Sequence, residues 1–431
     1  MSSRDGGVEW VTSPARSRPN ALVTNVTLER MRASRANAIA CSISFGALVI
    51  AAAAACGDLK NADTPAVDAA GVEPDGATEG AAPAEAGGGD GGSGGVCTEA
   101  TCPPETFQQA LYGPVSVAVD ATHVYWIEVG TTIPQGGGAG QLIRLPKASA
   151  CKSRSCYEVI DPLVVSGELE GQVVFDTHLA LGLTDVCYTQ SFNAVPQHSI
   201  RCFSLIGGLT KRSLDDGPGD VLDLWIGSSD ARWVVGSSVS GAADGTIQGR
   251  PLQGGSTKTF ASARPGPSSV TSNGVDLLWT EIGASVPFGT IDALAPDGGV
   301  ATLYTGRSDP GSARLYSTDI YWIEQPTRRI MRALVDGSGT AEEIAATDEG
   351  PFDLAVDTTG VYWASAGPGK NGLYGSVAHA PLAPGGKVTT MLANIDKVSK
   401  IDLDATSIYI ASTGTNLDAG KIVRMKKAAT P

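Results

Sequence analysis

Positive charge is scarce in this chain. Lys and Arg total 31 against 45 Asp and Glu, for a formal net charge of −14. No basic patch exists to neutralise phosphates, which argues against nucleic acid as a partner. Histidine is nearly missing: the four residues are His123, His178, His198 and His379. They fall in unrelated phases of the chain, so nothing gathers imidazoles into a metal or catalytic centre. No Cys-x-x-Cys pair with a nearby His occurs, which argues against a structural zinc site. Gly91-Gly92-Ser93-Gly94-Gly95 matches the Gly-x-Ser-x-Gly nucleophile elbow. That elbow needs a strand before it and a helix after it, and neither can form in a glycine run. Asp336-Gly337-Ser338-Gly339 lacks the alternating oxygen ligands and terminal Glu of a calcium loop. It reads as a turn. No catalytic residue, cofactor or metal ligand is assigned.

What the chain does have is a repeated phrase. Val124-Tyr125-Trp126-Ile127-Glu128 returns in altered form around Tyr188, Trp233, Trp279, Trp322, Trp363 and Ile410. Counted from Trp126, these anchors are separated by 62, 45, 46, 43, 41 and 47 residues. Periods in the forties, with several short strands in each, mark a β-propeller, whose blades bury their faces only against one another.

The copy around Trp363 shows the grammar of one unit. Gly350-Pro351 leads into Phe352-Asp353-Leu354-Ala355-Val356, a first strand. Asp357-Thr358-Thr359-Gly360 is a tight turn, since Asp bonds its own backbone and Gly accepts φ > 0. Val361-Tyr362-Trp363 is a second strand of β-branched and aromatic residues. Ser376-Val377-Ala378-His379-Ala380 is a third strand, and residues 387–393 supply a fourth. The ends of the chain complete the pattern. Ile422-Val423-Arg424-Met425 is a third strand with no fourth after it, while Thr106-Phe107-Gln108-Gln109-Ala110 is a fourth strand without a blade. Joining them closes the ring and removes an open sheet edge. The expected fold is all-β, seven four-stranded blades closed by the N-terminal strand.

An aromatic second strand after an Asp-containing turn resembles the Tyr-Trp-Thr-Asp propellers of lipoprotein-receptor type and the NHL and TolB-like propellers. The resemblance covers roughly residues 106–427. No copy is a full Tyr-Trp-Thr-Asp: the family's Asp is replaced by Glu128, Gln190, Val235, Glu281, Glu324, Ser365 and Ser412. That family typically has six blades, whereas seven anchors stand here. The resemblance implies architecture and no ligand.

The first 96 residues concern address. Residues 36–55 carry no charge, follow Arg30, Arg32 and Arg35, and end in a small-residue run before Cys56. This pattern describes a secretory signal. Cysteine after Ala-Ala-Ala resembles a bacterial lipobox, with Ala53 in place of the usual Leu, and makes Cys56 the lipidation site. Ordinary signal cleavage and an uncleaved membrane span of this length are the alternatives. Met31 offers a better start than Met1. Residues 57–96 hold eight acids against Lys60, with no aromatic residue. Such a segment cannot bury enough apolar surface to fold and reads as a tether. The division is thus 1–56 extension and signal, 57–96 tether, 97–431 propeller, at a bacterial cell envelope.

Six cysteines remain in the last part, and an even number beyond a secretion signal reads as disulfides. Cys187 and Cys202 face each other across a second-to-third hairpin. Cys151 with Cys156, and Cys97 with Cys102, would each close a short loop, although six cysteines allow fifteen pairings.

Two functional readings of different class remain. The first is a monomeric, non-catalytic binding or scaffold propeller that meets a protein or glycan through Gly-rich rim loops at 131–140, 237–245 and 367–375. Glu128, Glu281 and Glu324, equivalent ends of second strands, are candidate rim carboxylates for a cation or basic partner; the alternative is that each serves the frame. The second is a metal-dependent hydrolase or lyase of the lactonase-like kind, which would need inward carboxylates. Asp120, Asp353 and Asp402 are the available ones, in differing phases.

Overall fold

The computed structural model describes residues 96–129, 140–162, 174–175, 178–192, 197–236, 243–283, 288–367, 374–416 and 418–427. The signal, Cys56 and the tether up to residue 95 lie outside these residues, as do most of the three Gly-rich loops. Among the described residues no helix is long and apolar enough to cross a membrane.

The described chain forms seven antiparallel sheets, one per anchor, and is a seven-bladed β-propeller. Blade 6 is typical: inner strand Gly350–Asp357, second strand Gly360–Ala366, third strand Gly375–Ala380 and outer strand Thr389–Ile395. Blade 7 takes Val398–Leu403, Ser407–Ser412 and Gly420–Lys426 in order, and its outer strand is Glu105–Leu111 from the other end of the chain. The register sets Glu105 opposite Arg424 and Thr106 opposite Val423. The expected closure is therefore present, and the count is seven rather than the related family's usual six. Blade 2, where the repeat spacing is longest, is the irregular one. Its inner edge is split into Val174–Phe175 and Leu179–Leu181, both paired with Asp185–Phe192.

The anchor phrase is largely apolar because second strands are covered on both faces. All of Ser407–Ser412 is buried, and so is His123–Glu128 apart from its first residue. Outer strands such as Val300–Arg307 are largely exposed and keep polar residues. The core is consequently spread around the ring as clusters between neighbouring blades. One joins Phe107, Leu111, Tyr409 and Ile422 of blade 7 to Val117, Trp126 and Ile143 of blade 1. Another joins Trp322 and Ile320 of blade 5 to Leu278 and Ile291 of blade 4. Five Trp anchors are among the largest fully buried side chains, and truncating such a residue costs about 3–5 kcal/mol.

Blades approach so closely that four of the seven third strands begin on glycine. A Cβ on Gly420 would meet the Pro114 ring at 2.4 Å, and one on Gly289 would meet the Pro310 ring at the same distance. The Asp-containing turns are equally specific. Asp120 Oδ1 accepts the backbone N–H groups of Thr122 and His123, while its Oδ2 accepts the Tyr125 hydroxyl at 2.7 Å. Asp404 repeats this with Thr406, Ser407 and Tyr409, and also receives Lys147 Nζ of the next blade at 2.6 Å. In blades 1 and 7 the Asp and Tyr of the repeat are thus one hydrogen-bonded unit, and in blade 6 Thr359 Oγ1 stands between Asp357 and Tyr362.

Candidate functional site

Each blade presents the unpaired edge of its inner strand to the ring axis, and buried N–H groups there need acceptors. The sequence supplies them at one register. Ten residues before each anchor stand Ser116, His178, Asp223, Ser269, Ser312, Asp353 and Lys400. All seven are polar and all seven are buried. In six blades each lies one step before the inner-strand residue paired with the anchor, as Asp353 pairs Ala364 and Leu354 pairs Trp363; in blade 5 the register shifts between Gly311 and Arg314, around Ser312.

Four of these residues, Asp223, Ser269, Asp353 and Lys400, clasp one blade to the next. Asp223 Oδ2 accepts the Ser269 hydroxyl at 2.8 Å and the Val270 N–H at 2.9 Å. Ser269 Oγ in turn accepts the Ala313 N–H at 2.9 Å. Asp353 Oδ1 binds Lys400 Nζ at 2.6 Å and its Oδ2 accepts the Ile401 N–H at 2.9 Å. Two residues further along, the same geometry recurs one layer down. Thr271 Oγ1 accepts the Leu315 N–H at 3.1 Å, and Asp402 Oδ2 accepts the Val119 N–H at 2.8 Å across the closure seam. Arg314 occupies this second layer in blade 5, with its guanidinium 3.5 Å from Asp353. Ser116 Oγ, Ser312 Oγ and both His178 ring nitrogens have no hydrogen bond of normal geometry; the Val221 backbone is nevertheless close enough to favour protonated His178.

Burial governs the electrostatics of this ring. It pulls Lys400 down to about 8, although Asp353 works against that shift. It holds His178 down at about 4, neutral at pH 7. It pushes Asp402 up to about 7, opposed by the Leu403 and Val119 N–H groups and by Lys400. Arg314 is likewise depressed by burial, with Asp353, Asp223 and Asp402 favouring its charge. The result is a compact set of compensating charges.

Asp353 and Asp402, two of the carboxylates considered for a metal, therefore sit in different layers and are occupied by backbone N–H groups, Asp353 also by Lys400. Asp120 lies in a turn, away from the inner edge. Among the described residues no group of three or more His, Cys, Asp or Glu is placed to hold a metal. Reading carboxylates alone passed over Lys400, Arg314, His178 and Asp223. The fixed ten-residue offset was the signal that could have found most of them.

Glu128, Glu281 and Glu324 are brought to equivalent places, and each is buried. Each accepts the indole N–H of the Trp two residues before it, at 3.2, 2.7 and 3.5 Å. Each also meets an arginine: Arg154, Arg264 and Arg307 respectively. Burial raises Glu281 above the usual carboxylate range, against the pull of Arg264 and Trp279. These units fix the anchor Trp; Arg264 and Arg307 come from the outer strand of the preceding blade and so join neighbours, whereas Arg154 comes from the same blade as Glu128. The cysteines are joined as Cys97–Cys102, Cys151–Cys156 and Cys187–Cys202, the last pair directly opposite in the hairpin.

The two faces of the ring differ. Inner-to-second turns are held to segments such as 120–122, 317–318 and 358–359, whereas second-to-third connections on the other face span 129–140, 237–244, 282–288 and 367–374. Among the described residues two aromatic side chains stand out as exposed, Phe288 at 66% and Tyr374 at 56%. Both flank second-to-third connections.

No family model matches this chain, and no curated protein does. Solved structures do. Virginiamycin B lyase from Staphylococcus aureus is similar with a TM-score of 0.50 and 13% identity, covering 73% of this chain and 95% of that one. A catalytically inactive variant of that lyase, in a structure with quinupristin, gives 0.51 and 12%, covering 75% and 98%. A streptogramin B lyase gives 0.51 and 13%, covering 75% and 97%. At such identity the likeness concerns the fold alone.

Proposed function

We propose that this protein is a non-catalytic binding propeller, lipid-anchored through Cys56 at a bacterial cell envelope, which recognises a protein or glycan through the face bearing the second-to-third connections. Phe288 and Tyr374 carry the reading. Large aromatic residues left exposed on one face of a rigid frame suit a binding hot spot, and aromatic rings serve protein and sugar partners alike. The polar ring supports it from the other side: its carboxylates are committed to holding blades together. A lactonase-like hydrolase or lyase would require some of them to be released. Three disulfides suit an oxidising compartment, and the acidic tether would set the propeller off the membrane.

The test is binding to immobilised envelope protein and glycan fractions by the wild-type protein and by the Phe288→Ala/Tyr374→Ala double variant. The double variant is expected to bind at least about tenfold more weakly, in keeping with hot-spot truncations of 1.4 kcal/mol or more, with an unchanged melting temperature. Equal binding by both would remove this face as the site. Cys56→Ser is expected to abolish fatty-acid labelling and membrane fractionation; labelling that persists would rule out the anchor without touching the binding argument.

A further inference from the structure

On the blade 1 side the closing strand Glu105–Leu111 packs Phe107 and Leu111 into the apolar cluster, and its polar contacts among the described residues come from a single small loop. Lys152 Nζ donates to Glu105 Oε1 at 3.0 Å and to the Phe107 carbonyl at 3.2 Å. The Ser153 carbonyl accepts Gln108 Nε2 at 3.1 Å. Arg154 binds Glu128 and stacks over the Tyr112 ring at 3.5 Å, just beyond the end of the strand. Cys156 and Tyr157 pack against the cluster containing Phe107 and Leu111. These contacts come from consecutive residues enclosed by the Cys151–Cys156 disulfide.

We propose that the Cys151–Cys156 bridge is a redox latch on ring closure. The bond fixes the loop that presents Lys152, Ser153 and Arg154, so the ordering entropy of those residues is spent before the strand docks. Both cysteines are partly exposed, whereas Cys187 and Cys202 are fully buried. A dithiol reductant therefore reaches the latch and leaves the hairpin bridge intact. In the step, the reductant's two thiols become its own disulfide, and two electrons and two protons pass to the Cys151 and Cys156 sulfurs. The loop then loses its closure, the three contacts weaken, and the N-terminal strand leaves blade 7 open at its outer edge.

Hydrogen exchange of the folded full chain reads this directly. With dithiothreitol at a level where mass spectrometry finds Cys151 and Cys156 reduced and Cys187–Cys202 intact, exchange across residues 105–111 should rise at least about tenfold. Exchange across residues 350–357 should stay unchanged. Unaltered protection of 105–111 after reduction overturns the proposal. Cys97–Cys102 precedes the same strand, so Cys97→Ser/Cys102→Ser is measured beside Cys151→Ser/Cys156→Ser. The second variant should reproduce the reduced state without reductant and the first should not. The reverse result would assign the latch to Cys97–Cys102 and sink the inference.

Discussion

A chain beginning at Gly113 is expected to melt about 10 °C or more below one beginning at Val96, or to precipitate on heating. Removing residues before Gly113 removes Phe107 and Leu111, both essentially inaccessible and packed against Trp126, Tyr409 and Ile422. Losses of about 3–5 kcal/mol for a buried Phe and about 2–5 for a buried Leu follow from core truncations elsewhere. In a domain of this size each kcal/mol is worth roughly 2 °C. The third strand Gly420–Lys426 would also become an open edge, and such edges recruit other chains. Differential scanning calorimetry on the two chains decides the matter. Equal melting temperatures would mean that the ring does not depend on the strand that completes blade 7.

The second large effect belongs to the axis. Asp353→Ala should destabilise the propeller by about 3–5 kcal/mol, because it strands the buried Lys400 without its carboxylate and Ile401 without its acceptor. Asp353→Ala with Lys400→Met should recover most of this, since a buried ion pair is often matched by apolar residues of similar volume. The residual deficit, about 1 kcal/mol for the uncapped Ile401 N–H, should not be recovered. Chemical denaturation of the three proteins separates these outcomes. A neutral Asp353→Ala, or a double variant no better than the single one, would mean that the ring charges do not clasp blades 6 and 7.

How much of this was readable in the residues depended on whether a letter or a property repeated. The second strand repeats letters, Tyr and Trp above all, because every blade buries the same central strip between two neighbours. That made the blade count and the closure legible; the register, with Thr106 opposite Val423, came from the structure. Blade 2 was harder. Its inner edge is in two short pieces, Val174–Phe175 and Leu179–Leu181, and its anchor is Tyr188 where five other blades have Trp. The polar register on the axis repeats only a property: Ser, His, Asp and Lys all serve, because what is required is a polar group able to reach the next blade. The equivalence of Glu128, Glu281 and Glu324 was plain from their shared place after Trp. Their arginine partners were not, because Arg264 and Arg307 come from the outer strand of the preceding blade and Arg154 from a loop of the same blade, so no single phase of the repeat supplies all three.

That diversity on the axis has a consequence for assembly. Seven identical wedges could in principle close one unit short or one unit over, or in any order. Here the joints are keyed. Asp353 fits Lys400, Asp223 fits Ser269, and Asp402 reaches across the seam to Val119. Exchanging blades could set Asp223 beside Asp353, two buried carboxylates with no cation between them. The apolar strip makes a ring favourable, and the polar residues at these joints favour one order of blades over others.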